Sequence, residues 1–246
     1  GGYLQTFFNW RASFYFLGLF TVFILLFVVK VMGESNVNAS QKSEKISDVL
    51  IGIKKNYSIL SCDSYFMASS LTLGLAFSST ICMSTMFPFI FTDFGWSVEA
   101  IGYVSAVFAV GNILGSMLSR KLADKYPSHT VILWGVVVNI FIALFAFAYH
   151  LLFGASAESL LGIVIFVLCT TMLIQSNASA LALSEHSMRA GTAASLLGGL
   201  HIGSGAFGAI LAGILPDTIS NLFLVNLMIF CLCFVLVYRY ITLRNH

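Results

Sequence analysis

Residues 94–127 read FGWSVEAIGYVSAVFAVGNILGSMLSRKLADKYP. Its middle, 99–119, is predominantly apolar. That length matches the roughly 20 residues a helix rising about 1.5 Å per residue needs to cross about 30 Å of hydrocarbon. Acids stand at one end, Asp93 and Glu99, and bases crowd the other, Arg120, Lys121 and Lys125. The run lacks the period-two alternation of a barrel strand, and backbone groups cannot stay unpaired in lipid, so the stretch reads as a membrane-spanning helix.

Six further apolar segments of similar length follow the same logic, at about 14–32, 65–91, 129–152, 160–183, 191–215 and 220–241. Hydrophobic residues make up 59% of the 246 and charged residues only 9%, which excludes a soluble domain of this size. The expected fold is therefore all-α, a polytopic helical bundle in a lipid bilayer. A net charge of +2 gives no reason to expect nucleic acid. Cys62, Cys82, Cys169, Cys231 and Cys233 show no paired C-x-x-C spacing and no histidine at ligand distance, so they read as buried, unpaired thiols. No metal or cofactor is implied, and no cleavable signal peptide is evident.

Lys and Arg set the orientation. Lys42, Lys45, Lys54 and Lys55 lie in the connection at 33–64, Arg120, Lys121 and Lys125 in 120–128, Arg189 in 184–190, and Arg239 and Arg244 in the tail. All of these fall on one side of the membrane. The opposite connections carry Asp93, Glu99, Glu158 and Asp217, with Arg11 as their basic residue. The first side is expected to be cytoplasmic, together with the C-terminus. Within the long connection, Ile46, Val49, Leu50, Ile53 and Tyr57 recur at helical spacing with charges opposite, the pattern of an amphipathic surface helix; a solvated linker is the alternative.

Three stretches carry a family resemblance. GGYLQTFFNWRASFYF (1–16) resembles the passage between the fifth and sixth spans of major facilitator superfamily drug exporters, in particular the Bcr/CflA group. Residues 94–127 resemble that group's passage from span seven through span eight, and GTAASLLGGLHIGSGAFGAILAGIL (191–215) is similar to its glycine-rich span eleven. The resemblance covers the chain in order. It implies spans six to twelve of a twelve-span transporter: 1–32 as the end of the first half, 33–64 as the central cytoplasmic connection, and 65–246 as the second six-helix bundle. Spans one to five would then be a missing N-terminal partner. The resemblance further implies proton-coupled export of drugs or small amphipathic molecules across an inner membrane. The proton-coupling carboxylates of such exporters usually lie in the first half, and every acid from Asp63 to Asp217 here sits at or near a segment end. The chain alone is therefore expected not to transport.

GSMLSRKLADK (115–125) resembles the superfamily's cytoplasmic gating motif in its second-half copy. Gly115 and Arg120 match, while Ser119 replaces the acid and Leu122 the second glycine. Gly115, Arg120, Lys121 and Asp124 are the gating-loop candidates. The alternative is that the bases set topology and Asp124 merely offsets them.

Polar residues inside spans are costly toward lipid and usually face a cavity or another helix. Gln175, Asn177, Asn112 and His201 are the candidates for a substrate path, with interhelical bonding as the alternative for each; Asn139 is a further intramembrane amide. His201 can exchange a proton near neutral pH. Gly111/Gly115 and Gly199/Gly203 form G-x-x-x-G pairs, expected to allow close helix approach. Two other classes compete. A seven-helix receptor or scaffold fits the helix count, but not the long connection after the first span. An intramembrane enzyme would need a constellation: Ser204 and His201 lie three residues apart on one helix, whereas a serine–histidine dyad joins groups from different helices, so no enzyme is expected.

Overall fold

The computed structural model describes residues 8–31 and 46–244, and the elements among them are helices. Gly1, Gly2, Lys42 and Lys45 lie outside the described residues, as do the side chains of Val49, Leu50 and Glu99. Seven helices among the described residues are long and apolar enough to cross a membrane, as expected. The chain divides into two compact units, residues 1–50 and 51–246.

The first unit holds α1, Trp10–Val31. Asn9 caps it, its side-chain oxygen accepting from the Ala12 amide at 3.2 Å. Thr21 satisfies its hydroxyl on the Leu17 carbonyl, and Lys30 in the last turn complements the negative helix end. Within this unit α1 is apolar and exposed on all sides, from Phe14 to Val31.

The second unit contains the C-terminal part of α2 (Ile46–Cys62), followed by α3 (Ser64–Asp93), α4 (Val98–Ala123), α5 (Ser128–Phe153), α6 (Ala157–Ser184), α7 (Ala190–Ile214) and α8 (Ile219–Arg244). Their starts have local causes. Asp63 accepts from the Tyr65 and Phe66 amides, Ser97 from Ala100, and Thr218 from Asn221. Ser156 and Ser159 cap one another reciprocally. The turns after α3 and α5 use Gly95 and Gly154 at φ 76° and 74°, a left-handed conformation that a side chain would strain.

Two helices form the centre of this unit. α3 packs on α7, α8 and α6, and α6 packs on α4, α5 and α3, while α5 also packs on α8. Exchanging α3 with α6, α4 with α7 and α5 with α8 reproduces the same set of contacts, so the six helices pack as two three-helix repeats. α4 and α7 each lean on one central helix and pack little on each other, leaving the side between them open.

Lipid tails are as apolar as leucine, so association rests on close packing and interhelical hydrogen bonds. A Cβ on Gly111 would stand 2.8 Å from Leu168 Cβ, and one on Gly115 would run into Met172 and the Cys169 carbonyl, which holds α4 tightly to α6 as its G-x-x-x-G spacing predicts. The second such pair does not behave this way. Gly199 and Gly203 have nothing within 4 Å of an added Cβ; the glycines of α7 that meet α3 are Gly205, against Phe77, and Gly208, against the Ser78 backbone. The two faces lie on opposite sides of one helix, and the spacing alone does not say which face is packed.

A buried amide network ties four helices. Ser79 on α3 donates to Asn226 on α8 at 2.5 Å, and Asn226 donates to Asn139 on α5 at 3.0 Å. Asn139 in turn donates to the Thr170 and Thr171 hydroxyls of α6. The cysteines are unpaired, but only Cys82 and Cys233 are buried; Cys62 and Cys231 are exposed and Cys169 is half-buried. An apolar flank in the sequence does not distinguish the lipid side of a span from its core side.

Candidate functional site

Met172, Gln175, Ser176, Ser179 and Leu183 recur at three- and four-residue steps along α6, and Ala194, Leu197, Gly198 and His201 do so along α7. Each set therefore shares one helix face. The two faces, with Leu73 of α3 behind them, wall a cavity of about 450 Å³. Its lining contains no Asp, Glu, Lys or Arg.

Several polar groups in this wall keep bonding capacity. Ser176 donates to the Met172 carbonyl, which leaves its oxygen free to accept. Gln175 donates to Thr80 at 3.4 Å, a long contact that leaves its amide oxygen available. His201 packs its ring on Phe77, centroids 4.1 Å apart, and its Nε2 is buried without a hydrogen-bond partner.

Of the four candidates for a substrate path, Gln175 and His201 thus share one cavity. Asn177 points elsewhere: its amide donates to Ser119 of α4 at 2.8 Å and to the Leu173 carbonyl at 2.9 Å, and it is 3% exposed. Asn112 is half-buried on α4, its backbone carbonyl accepting from Ser116. Ser204 donates to the Leu200 carbonyl of its own helix, so it makes no bond to His201.

At the candidate gating loop, Gly115 is buried under α6, while Arg120, Lys121 and Asp124 are exposed around the end of α4. Ser119, where the family pattern has an acid, is buried and receives the bond from Asn177.

The contacts that sequence reasoning missed sit on the same side. Asn56 of α2 accepts from Arg189 Nε at 3.1 Å, and Tyr57 bonds Ser195 of α7 at 2.7 Å. Asp63 stands 3.4 Å from His186, whose ring meets Phe66 edge-on. Leu60 is fully buried between these contacts, while Lys54 and Lys55 are exposed. Helical spacing indicated an amphipathic α2, but partners more than a hundred residues away leave no local trace. A second cavity, about 270 Å³, lies at the other end of the bundle between Asp93, His150 and Asp217.

The family model described as Major Facilitator Superfamily matches residues 1–199 and 70–246. A curated relative, a bicyclomycin resistance protein homolog from Haemophilus influenzae, is 27% identical over 250 residues, covering 100% of this chain and 61% of its own length. The chain spans about three-fifths of the length of that relative. The paired three-helix packing and the ordered motifs agree with the family match, and the chain belongs to the major facilitator superfamily, as a multi-pass membrane protein of a transporter family.

Proposed function

We propose that the chain forms part of a secondary transporter that exports drugs or small amphipathic molecules across the inner membrane in exchange for protons, with residues 65–246 as its second helical half and its C-terminus cytoplasmic. The observation that carries this reading is the cavity on the open side of the six-helix unit, where Gln175 and His201 meet in an uncharged wall. The relative's name, a drug-resistance protein, and the motif resemblance to the Bcr/CflA group support the substrate class.

In this reading two helical halves rock about a site near the membrane midplane, and binding of substrate or proton shifts the inward-open and outward-open populations. Gln175 and His201 wall the path. Asn177 and Asn112 act beside it through helix α4, Asn177 by tying Ser119 to α6. Gly115, Arg120, Lys121 and Asp124 form the loop that holds the cytoplasmic face closed. Residues 1–32 supply the end of the first half, 33–64 the joint, and spans one to five come from a partner polypeptide or segment.

Efflux of fluorescent amphipathic dyes from energised cells tests this. Uncoupler-sensitive efflux is expected when the chain is co-expressed with a first half from a related exporter, and none from the chain alone. Absence of efflux in both cases, with the chain inserted, contradicts the reading.

A further inference from the structure

We infer that the junction of α2 and α3 is a pH-sensitive clasp: protonated His186 pairs with Asp63 and fastens α2 to the segment that starts α7, and the fastening loosens when the imidazole loses its proton. This goes beyond the transport reading above and holds whatever molecule is carried.

Asp63 follows the last residue of α2 and uses its two oxygens differently. Oδ1 accepts from the Tyr65 and Phe66 amides at 2.8 and 3.1 Å, which starts α3 and fixes the carboxylate. Oδ2 is thereby presented to His186 Nε2 at 3.4 Å. The His186 side chain is 10% exposed, its Nε2 is buried, and the Phe66 ring meets it edge-on at 5.4 Å. Nε2 has no well-formed hydrogen bond, so charge decides whether this contact attracts. A neutral imidazole offers the carboxylate either a repelling lone pair or a long N–H contact. An imidazolium is attracted to it, and the burial of His186 limits screening by water. Histidine is the side chain that gains or loses its proton between about pH 5 and 8, so the contact strengthens as pH falls through that range and weakens as it rises.

The rest of the clasp is indifferent to pH. Tyr57 bonds Ser195 at 2.7 Å, Arg189 donates to Asn56 at 3.1 Å, and Leu60 is fully buried. Hydroxyl, amide, guanidinium and aliphatic groups, as types, keep one charge state across that range. Facing His186 are Asp63 from the α2–α3 junction and Phe66 from α3. The other charged groups at this end of the unit are exposed, and water screens them: Glu185 before His186, Lys54 and Lys55 on α2, the bases and Asp124 around the end of α4, and Arg239 of α8. His129 of α5, which lines a small cavity with Ala68 and Leu181, is a second imidazole at this end and serves as a control. Ala194 and Leu197, on either side of Ser195 along α7, belong to the wall of the larger cavity. The clasp therefore holds the end of a helix that walls the proposed path.

Hydrogen exchange of the purified 246-residue chain in lipid nanodiscs, at about pH 5.5 and about pH 8, tests this without requiring transport. Each amide rate is divided by its intrinsic rate at that pH, and the amides of α5 serve as the reference. Residues 53–62 are expected to be about threefold better protected at the lower pH, the size of a partly exposed ion pair. His186→Gln keeps a polar side chain without a titrating charge, and Asp63→Asn keeps the cap without the carboxylate; both are expected to abolish the difference. His186→Lys carries its charge at both pH values and is expected to hold residues 53–62 at the low-pH protection throughout. Because that variant gains protection at the higher pH, a chain that merely failed to fold would not imitate it. His129→Gln is expected to leave the difference intact. No pH difference in the unmodified chain, one that survives His186→Gln, or one that follows His129 instead overturns the inference.

Discussion

Gly208 and Gly203 stand on one helix and differ in what surrounds them. A Cβ on Gly208 runs into the backbone of Ser78, which cannot move without displacing α3, whereas Gly203 opens onto space. Gly208→Ala is therefore expected to destabilise the six-helix unit by about 1–3 kcal/mol through overpacking. Gly203→Ala should leave thermal unfolding in detergent within error, or raise it slightly by favouring helix. The reverse order would mean that α7 presents its other face to α3. At this scale the sequence was only partly legible. Asn226, alone in LFLVNLMIF (222–230), was passed over among the intramembrane polar residues, although a lone amide in an apolar span calls for a buried partner. That the partners are Ser79 and Asn139, on two other helices, depends on packing that no local pattern encodes. For the same reason Gln175 and Asn177, two residues apart, looked equivalent as sequence; a two-residue step on a helix turns the side chain by about 200°, and the structure sends one to a cavity and the other to Ser119.

Among the elements, the spans were the most legible, because hydrophobic length has one physical meaning in a bilayer; the residues that cap their ends, Asp63, Ser97, Ser156 and Thr218, emerged only with the structure. The amphipathic α2 was legible as a surface helix docked on the membrane or the bundle, but its particular partners, Ser195 and Arg189, were not. Its contacts make a specific expectation. Tyr57→Phe and Asn56→Ala each remove one neutral or charge-assisted bond to the segment that starts α7, at about 0.5–1.5 kcal/mol apiece. Backbone amides of residues 53–62 should exchange faster in both variants, and most in the double one, while those of α5 should not change. Unchanged exchange in α2 would show that Leu60 and its neighbours hold the helix without these bonds. Because Ser195 and His201 ride on the same helix, α2 is also positioned to feel movement of the cavity wall.

At the scale of the molecule, the exchange symmetry of the packing leaves the side between α4 and α7 open, and an uncharged cavity lies between the α6 and α7 faces. The class and the ordered motifs were readable from the chain, since both follow from composition and local spacing. The cavity was not, because it is made by faces of α6 and α7 that meet only after folding. The central claim is that this cavity is a wall of the substrate path, open to water, while α5 turns a lipid-facing side outward at Phe141, which is 66% exposed. The most direct measurement is labelling with a membrane-impermeant thiol reagent in a chain whose five cysteines have been replaced, carrying either Ser179→Cys or Phe141→Cys. The account expects Ser179→Cys to react, to be protected by the fluorescent amphipathic dye whose efflux tests the proposed function, and Phe141→Cys to stay unlabelled. A Ser179→Cys chain that stays as inert as Phe141→Cys would contradict it.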